Sequence, residues 1–190
     1  MNNFIYENST KVYFGQGCVK EFLSSLTRDS RNILLACGER SAKRYGVYDE
    51  VLNILMADGK NVVDFSGIMP NPTYGKVLEG IQLVKSHDID LILGIGGGSV
   101  MDCAKAVSLG ARCNGDPWEN FWERKGIVDF SPIPVGVIPT TAGTGSECNG
   151  AAVITNEKTK VKTGYDYAKC NPVFALMDPV YTYSVPEKQM

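Results

Sequence analysis

A single histidine, His87, is all the imidazole this 190-residue sequence contains. Zinc and iron sites built on histidine usually take two or three imidazoles, so none can be assembled from this chain alone. His87 follows Lys85-Ser86 at the close of a helical pattern, where a solvated or capping role accounts for it. Cys18, Cys37, Cys103, Cys113, Cys148 and Cys170 form no C-x-x-C pair and no metal-type cluster, and read as reduced core thiols. No apolar run approaches the roughly 20 residues that span a bilayer. The N-terminal residues 1–7 offer neither a basic n-region nor an apolar h-region. No signal peptide is read, no membrane association is expected, and the expected location is the cytoplasm. Lys and Arg (19) nearly balance Asp and Glu (21). Without a basic stripe, nucleic acid is not an expected partner.

What is present is ordinary in amount and unusual in arrangement. The hydrophobic fraction of 44% and charged fraction of 21% suit one globular domain with a real core. Short apolar runs alternate with amphipathic stretches. Ile33–Cys37, Asn61–Phe65, Leu91–Gly94 and Pro134–Ile138 read as strands, Ala152–Ile154 and Phe174–Met177 as weaker ones. Val12-Tyr13-Phe14 reads as an edge strand or part of a hairpin. Tyr48, Val51, Leu52 and Leu55 share one helical face, as do Val77, Leu78, Ile81 and Val84 on a helix starting near Thr73. Cys113–Ser131, with Trp118 and Trp122, reads as a short helix plus loop. The alternation predicts an α/β domain with a mainly parallel, Rossmann-like sheet and flanking helices.

Ligands of open α/β sheets gather at the carboxyl ends of the strands. That rule selects three loops: Gly38–Arg44, Gly94–Ser99 and Pro139–Glu147. In the second, Gly96, Gly97 and Gly98 follow a strand and open a helix. Their backbone can approach a ligand closely, and the helix start offers free N–H groups and a positive dipole end to a phosphate. Ser99 is the expected N-cap, with Asp102 three residues on as in a capping box. A structural turn is the competing reading. The spacing also departs from G-x-G-x-x-G, since Ser99 holds the third glycine's place. In the third loop, Thr140, Thr141, Thr144, Ser146 and Glu147 accompany Gly143 and Gly145. Such hydroxyls can bond phosphate and ribose oxygens. A polar turn capping the next helix would explain the same residues.

Together these pieces resemble the iron-containing (group III, metal-dependent) alcohol dehydrogenase family, with butanol-dehydrogenase-like members nearest. The carriers are Phe14-Gly15, Pro70-Asn71-Pro72-Thr73, the run from Gly96 to Lys105, the run from Pro139 to Glu147, Thr155-Asn156, Lys162, Asp178-Pro179, Thr182 and Pro186. The resemblance implies that residues 1–190 are the nucleotide-binding domain of a dehydroquinate synthase-like fold. A C-terminal helical domain with one aspartate and three histidines would hold iron or zinc, all beyond Met190. It further implies hydride transfer between NAD(P) and a primary alcohol or aldehyde such as butanol. This chain alone is expected to be inactive, with no catalytic residue of its own, and to form a homodimer. By the same resemblance Gly96, Gly97, Gly98 and Ser99 would meet the pyrophosphate. Asn71, Thr140, Thr141 and Thr144 would line the cofactor cleft, Lys162 would approach the nicotinamide-side ribose and phosphates, and Asp102 and Thr182 complete the set. Capping alone would explain Asp102, and solvation alone would explain Lys162.

NAD-preferring members resemble one another in an aspartate after the first long strand, where its carboxylate holds the ribose 2′-hydroxyl. This chain has Gly38 there, followed by Arg40, Ser41 and Lys43, which could serve a 2′-phosphate. NADP(H) is therefore the expected cofactor, with NAD possible because Glu39 intervenes. Two rival readings are a glycerol-type dehydrogenase of the same superfamily and a non-catalytic nucleotide-binding module.

Overall fold

The computed structural model describes residues 3, 5, 7–39 and 41–185. Six strands form one wholly parallel sheet in the order β1-β8-β5-β4-β2-β3. They are β1 (Lys11–Phe14), β2 (Asn32–Gly38), β3 (Asn61–Ile68), β4 (Leu91–Gly96), β5 (Val135–Pro139) and β8 (Phe174–Met177). Among the described residues the remaining two strands, β6 (Ala151–Asn156) and β7 (Val161–Asp166), pair only with each other, antiparallel. The helices are α1 (Cys18–Leu26), α2 (Ser41–Arg44), α3 (Val47–Ala57), α4 (Tyr74–Ser86) and α5 (Gly98–Ala111).

The central strands are apolar without interruption because both faces are covered. Side chains of β2 alternate between two cores. Leu34 and Ala36 face α4 and α5, while Ile33, Leu35 and Cys37 face α1 and α3. Strand β4 repeats this, sending Ile92 to the first core and Leu91, Leu93 and Ile95 to the second.

The expected α/β architecture stands, with differences of detail. Val12–Phe14 is an edge strand, paired in parallel with β8. Ala152–Ile154 lies outside the main sheet, in the β6–β7 hairpin, whose second strand the sequence reading missed. Asn156 turns that hairpin by accepting the amides of Lys158 and Thr159. Leu78 is 42% exposed rather than packed, because the buried face of α4 centres on Val77, Gly80, Ile81 and Val84. The Cys113–Ser131 stretch holds a π-helical turn, Trp118–Glu123. Both its tryptophans are buried, and the Trp122 indole donates to the Ala152 carbonyl at 3.0 Å.

Sheet order decides where a ligand can enter. From β2 the chain moves outward to β3, then crosses back to place β4 on the other side of β2. The connections therefore diverge between β2 and β4, and a crevice opens beyond their carboxyl ends.

Candidate functional site

A cleft of about 500 Å³ occupies that crevice, lined by Gly38, Glu39, Ile68, Pro70, Gly97, Gly98, Ser99 and Val100. A smaller pocket of about 240 Å³, lined by Ser108, Pro132 and Asn171 among others, lies at the opposite, amino end of β5 and β8. It is remote from the glycine turn.

Gly96 ends β4 with φ of +157°, and a Cβ there would stand 2.6 Å from Val100 Cγ2. Gly97 caps α5 through its backbone alone, so the expected N-cap role of Ser99 is incorrect. Ser99 sits inside the first turn, and its hydroxyl accepts the Asn71 amide at 3.3 Å. Nor does Asp102 close a capping box. Its carboxylate is taken by the Ser146 hydroxyl at 2.6 Å and the Val153 amide at 3.1 Å, both from the chain beyond β5. With no side chain on the cap, the amides of Gly98 and Ser99, both in the cleft lining, have no capping acceptor, while that of Val100 donates to the Gly97 carbonyl at 3.0 Å.

The threonine-rich loop packs directly on this turn. A Cβ at Gly97 would lie 2.8 Å from Thr141 Cγ2, and one at Gly98 3.3 Å from Thr144 Cβ. The consecutive glycines thus answer to the loop above them as well as to any ligand. Thr140 is buried and its amide extends the ladder to the Gly96 carbonyl at 3.0 Å. The Thr141 hydroxyl donates to the Ala142 carbonyl, and that of Thr144 to Glu147 while accepting the Ser146 amide. The loop runs into a 3-10 turn, Ser146–Cys148, rather than a long helix.

Asn71 and Lys162, 91 positions apart, meet at 2.6 Å between Asn71 Oδ1 and Lys162 Nζ. The β6–β7 hairpin makes this possible. The Thr155 amide donates to the Pro72 carbonyl at 2.9 Å, docking the hairpin beside the 70–73 segment. Asn71 itself takes φ of +56°, a conformation asparagine tolerates. Ser99, Asn71 and Lys162 therefore form one chain of contacts that starts at the cleft-lining Ser99. Lys162 is exposed, as the solvated reading had it, but tethered.

Other sequence-derived residues spread further. Ser41 opens α2. Its side chain, Arg40 and Pro186 lie outside the described residues. Lys43 is drawn to Asp64 at 3.3 Å and lies over the Tyr48 ring. Burial raises the Asp64 carboxyl, but hydrogen bonds from Ser66 and Tyr48 and the charge of Lys43 outweigh it and hold it below the ordinary carboxylate range. Thr182 lines a separate apolar pocket of about 150 Å³ with Phe14, Thr141, Met177 and Pro179. Thr141, which lies over Gly97, and Pro139, the sheet partner of Gly96, connect that pocket to the glycine turn.

Sequence reasoning missed Lys105, Ser146 and Asn149 as a unit. Lys105 is fully buried and donates to both residues. Desolvation pulls its pKa below the usual lysine value, against the opposing pull of Asp102. The one available signal was its spacing of three from Asp102, which puts both on one helix face. Among the described residues no group of three or more His, Cys, Asp or Glu could hold a metal ion.

A parallel sheet, a crevice at its switch point and a glycine turn opening a helix define the doubly wound α/β class. Within that class the chain belongs to the iron-containing alcohol dehydrogenase family, whose model matches residues 9–179. It is 42% identical over 189 residues to the probable NADH-dependent butanol dehydrogenase 2 of Bacillus subtilis, covering 100% of this chain and 48% of that protein. It is 38% identical to the NADPH-dependent aldehyde reductase YqhD of Escherichia coli, covering 100% and 49%. Among solved structures, the NADH-dependent butanol dehydrogenase A of Thermotoga maritima superposes with a TM-score of 0.92 at 38% identity, covering 100% and 47%. The chain spans about half the length of the curated relatives it matches.

Proposed function

We propose that residues 1–190 form the nicotinamide-nucleotide-binding domain of an alcohol dehydrogenase acting on a primary alcohol or aldehyde such as butanol. The observation that carries this is the cleft at the β2–β4 switch point, floored by the bare amides of Gly97, Gly98 and Ser99. Amides at a helix start suit a diphosphate in both hydrogen bonding and dipole sign. A side chain on Gly97 would press on Thr141, so the glycine also keeps the threonine loop seated on this turn.

In this reading Gly96, Gly97, Gly98 and Ser99 hold the pyrophosphate, with the Thr141 and Thr144 hydroxyls beside it. Asn71 and Lys162 bring an amide and a cation to the nicotinamide-side ribose and phosphate. Thr140 and Asp102 hold the walls, Thr182 borders the apolar side, and Gly38 and Ser41 flank the adenosine ribose. A bound nicotinamide would supply the hydride-transfer chemistry, and iron or zinc, held by residues other than those of this chain, would supply a Lewis acid for the substrate oxygen. This chain's part is to bind and orient the cofactor.

Relatives divide between NADH and NADPH. NADP(H) is our reading here, supported by Gly38 in place of a carboxylate and by Ser41 at the start of α2. A second reading, NAD(H), is favoured by Glu39 lining the cleft and by Lys43 being engaged with Asp64. Fluorescence titration with NADPH and NADH tests both. Tighter NADPH binding is expected, and tighter NADH binding would replace the first reading with the second. A soaked crystal with the nucleotide outside the switch-point cleft would defeat the assignment altogether.

No helix among the described residues is long and apolar enough to cross a membrane. All six cysteines are free, which suits a reducing compartment, and we place the protein in the cytoplasm.

A further inference from the structure

Lys105 sits in the second turn of α5 with no exposed surface. Its ammonium faces four acceptors: the Ser146 carbonyl at 3.0 Å and hydroxyl at 2.7 Å, and the Asn149 carbonyl at 3.1 Å and side-chain oxygen at 3.2 Å. Asp102 Oδ1 lies 3.6 Å away and also receives the Ser146 hydroxyl proton. Three ammonium protons are shared among these oxygens. A buried ion pair is weak ground for stability, because desolvating the charges offsets most of their attraction. What such a cation does supply is direction. It fixes two peptide carbonyls of one loop against one helix.

That loop carries Thr141 and Thr144. Gly143 and Gly145 both have positive φ, and the Gly145 carbonyl accepts the Cys148 amide at 3.0 Å and the Asn149 side-chain amide at 2.8 Å, so Asn149 braces the loop from within. Two sets of contacts hold it against α5 and its cap. One is the Lys105 grip, passed on through the Ser146 amide to the Thr144 hydroxyl at 3.3 Å. The other is the contact of Thr141 and Thr144 with Gly97 and Gly98.

We propose that Lys105 is a positioning residue for the cofactor: by holding Ser146 and Asn149 it sets the height of Thr144 and Thr141 over the glycine turn, and so the width of the phosphate site. The proposal rests on reading the switch-point cleft as the nucleotide site. It touches no cofactor atom itself.

The test is binding by Lys105→Met, Thr144→Val and the double variant, with NADPH, NADH and the phosphate-free probe adenosine, melting temperature being followed in parallel. Lys105→Met is expected to raise the Kd of the better-bound dinucleotide roughly tenfold or more, as loss of a charged hydrogen-bond anchor would. Adenosine binding should not change. The double variant should be no worse than Lys105→Met alone, since the lysine acts through the threonine. A folded Lys105→Met protein with unchanged dinucleotide affinity, or fully additive losses, would overturn the role. Should Lys105→Met fail to fold, Ser146→Ala and Asn149→Ala remove acceptors one at a time. Dinucleotide-selective loss in them supports the proposal, and normal affinity in both overturns it. Absence of dinucleotide binding by the unaltered chain would instead overturn the reading of the cleft, and the role of Lys105 with it.

Discussion

Gly97 has an unremarkable backbone conformation, so its lack of a side chain is a matter of space. An alanine Cβ would press on Thr141 and lift the threonine loop off the turn. Gly97→Ala should therefore weaken NAD(P)H binding by roughly tenfold, about 1.4 kcal/mol, while the melting temperature moves little. Calorimetric titration beside a thermal melt separates the two, and unchanged affinity would mean that the turn does not meet the phosphates. Glycines and threonines at strand ends are conspicuous in a sequence because their composition is unusual there. Lys105 is not, since a lysine between apolar residues looks like a solvated side chain until the loop that buries it is in place. Asp102 and Ser99 were misread as caps for a related reason. Their spacing fits local capping, but stronger partners arrive from Ser146, Val153 and Asn71, up to 51 positions away.

Periodicity serves elements better than single residues. It located β2, β4, β5 and the packed face of α4 because burial on those surfaces is continuous. It missed β7, whose burial pattern is almost wholly exposed and whose alternation of Val161, Thr163 and Tyr165 with polar residues and glycine is short and weakly apolar. The β6–β7 hairpin nonetheless delivers Lys162 to Asn71, so a site residue reached its place through an element the sequence hardly announces. Close approach between elements also has a sequence mark. Gly80 lets α4 settle against Phe65 and Val107, where an added Cβ would come within 2.5 Å of Val107 Cγ2 and 2.9 Å of the Phe65 ring. Despite alanine's better helix propensity, Gly80→Ala should destabilise by about 1–3 kcal/mol through overpacking. Urea denaturation measures it, and a stabilised variant would show that α4 can slide without loss.

At the scale of the whole molecule, β1 and β3 are the open edges of the main sheet. On β1, the amides of Lys11 and Gly15 point inward to β8, so those of Val12 and Phe14 point outward. Both side chains are exposed, at 48% and 73%. An edge of this kind invites a second strand, the contact that the homodimer expected from the family resemblance would use. Sedimentation should show a dimer that Val12→Pro converts to a monomer with its fold intact, because the ring removes an outward donor and leaves the β8 ladder untouched. A monomeric parent chain, or a Val12→Pro dimer, would count against that edge. The amino-acid order alone determined the α/β class, the run of central strands and the two loops rich in glycine and threonine, because each follows from burial period or backbone freedom within a few residues. Only the tertiary structure decided the strand order, the crevice between β2 and β4, the Asn71–Lys162 contact and the burial of Lys105. Each of these joins groups tens of residues apart, and no local pattern encodes which distant partner will close around a given side chain.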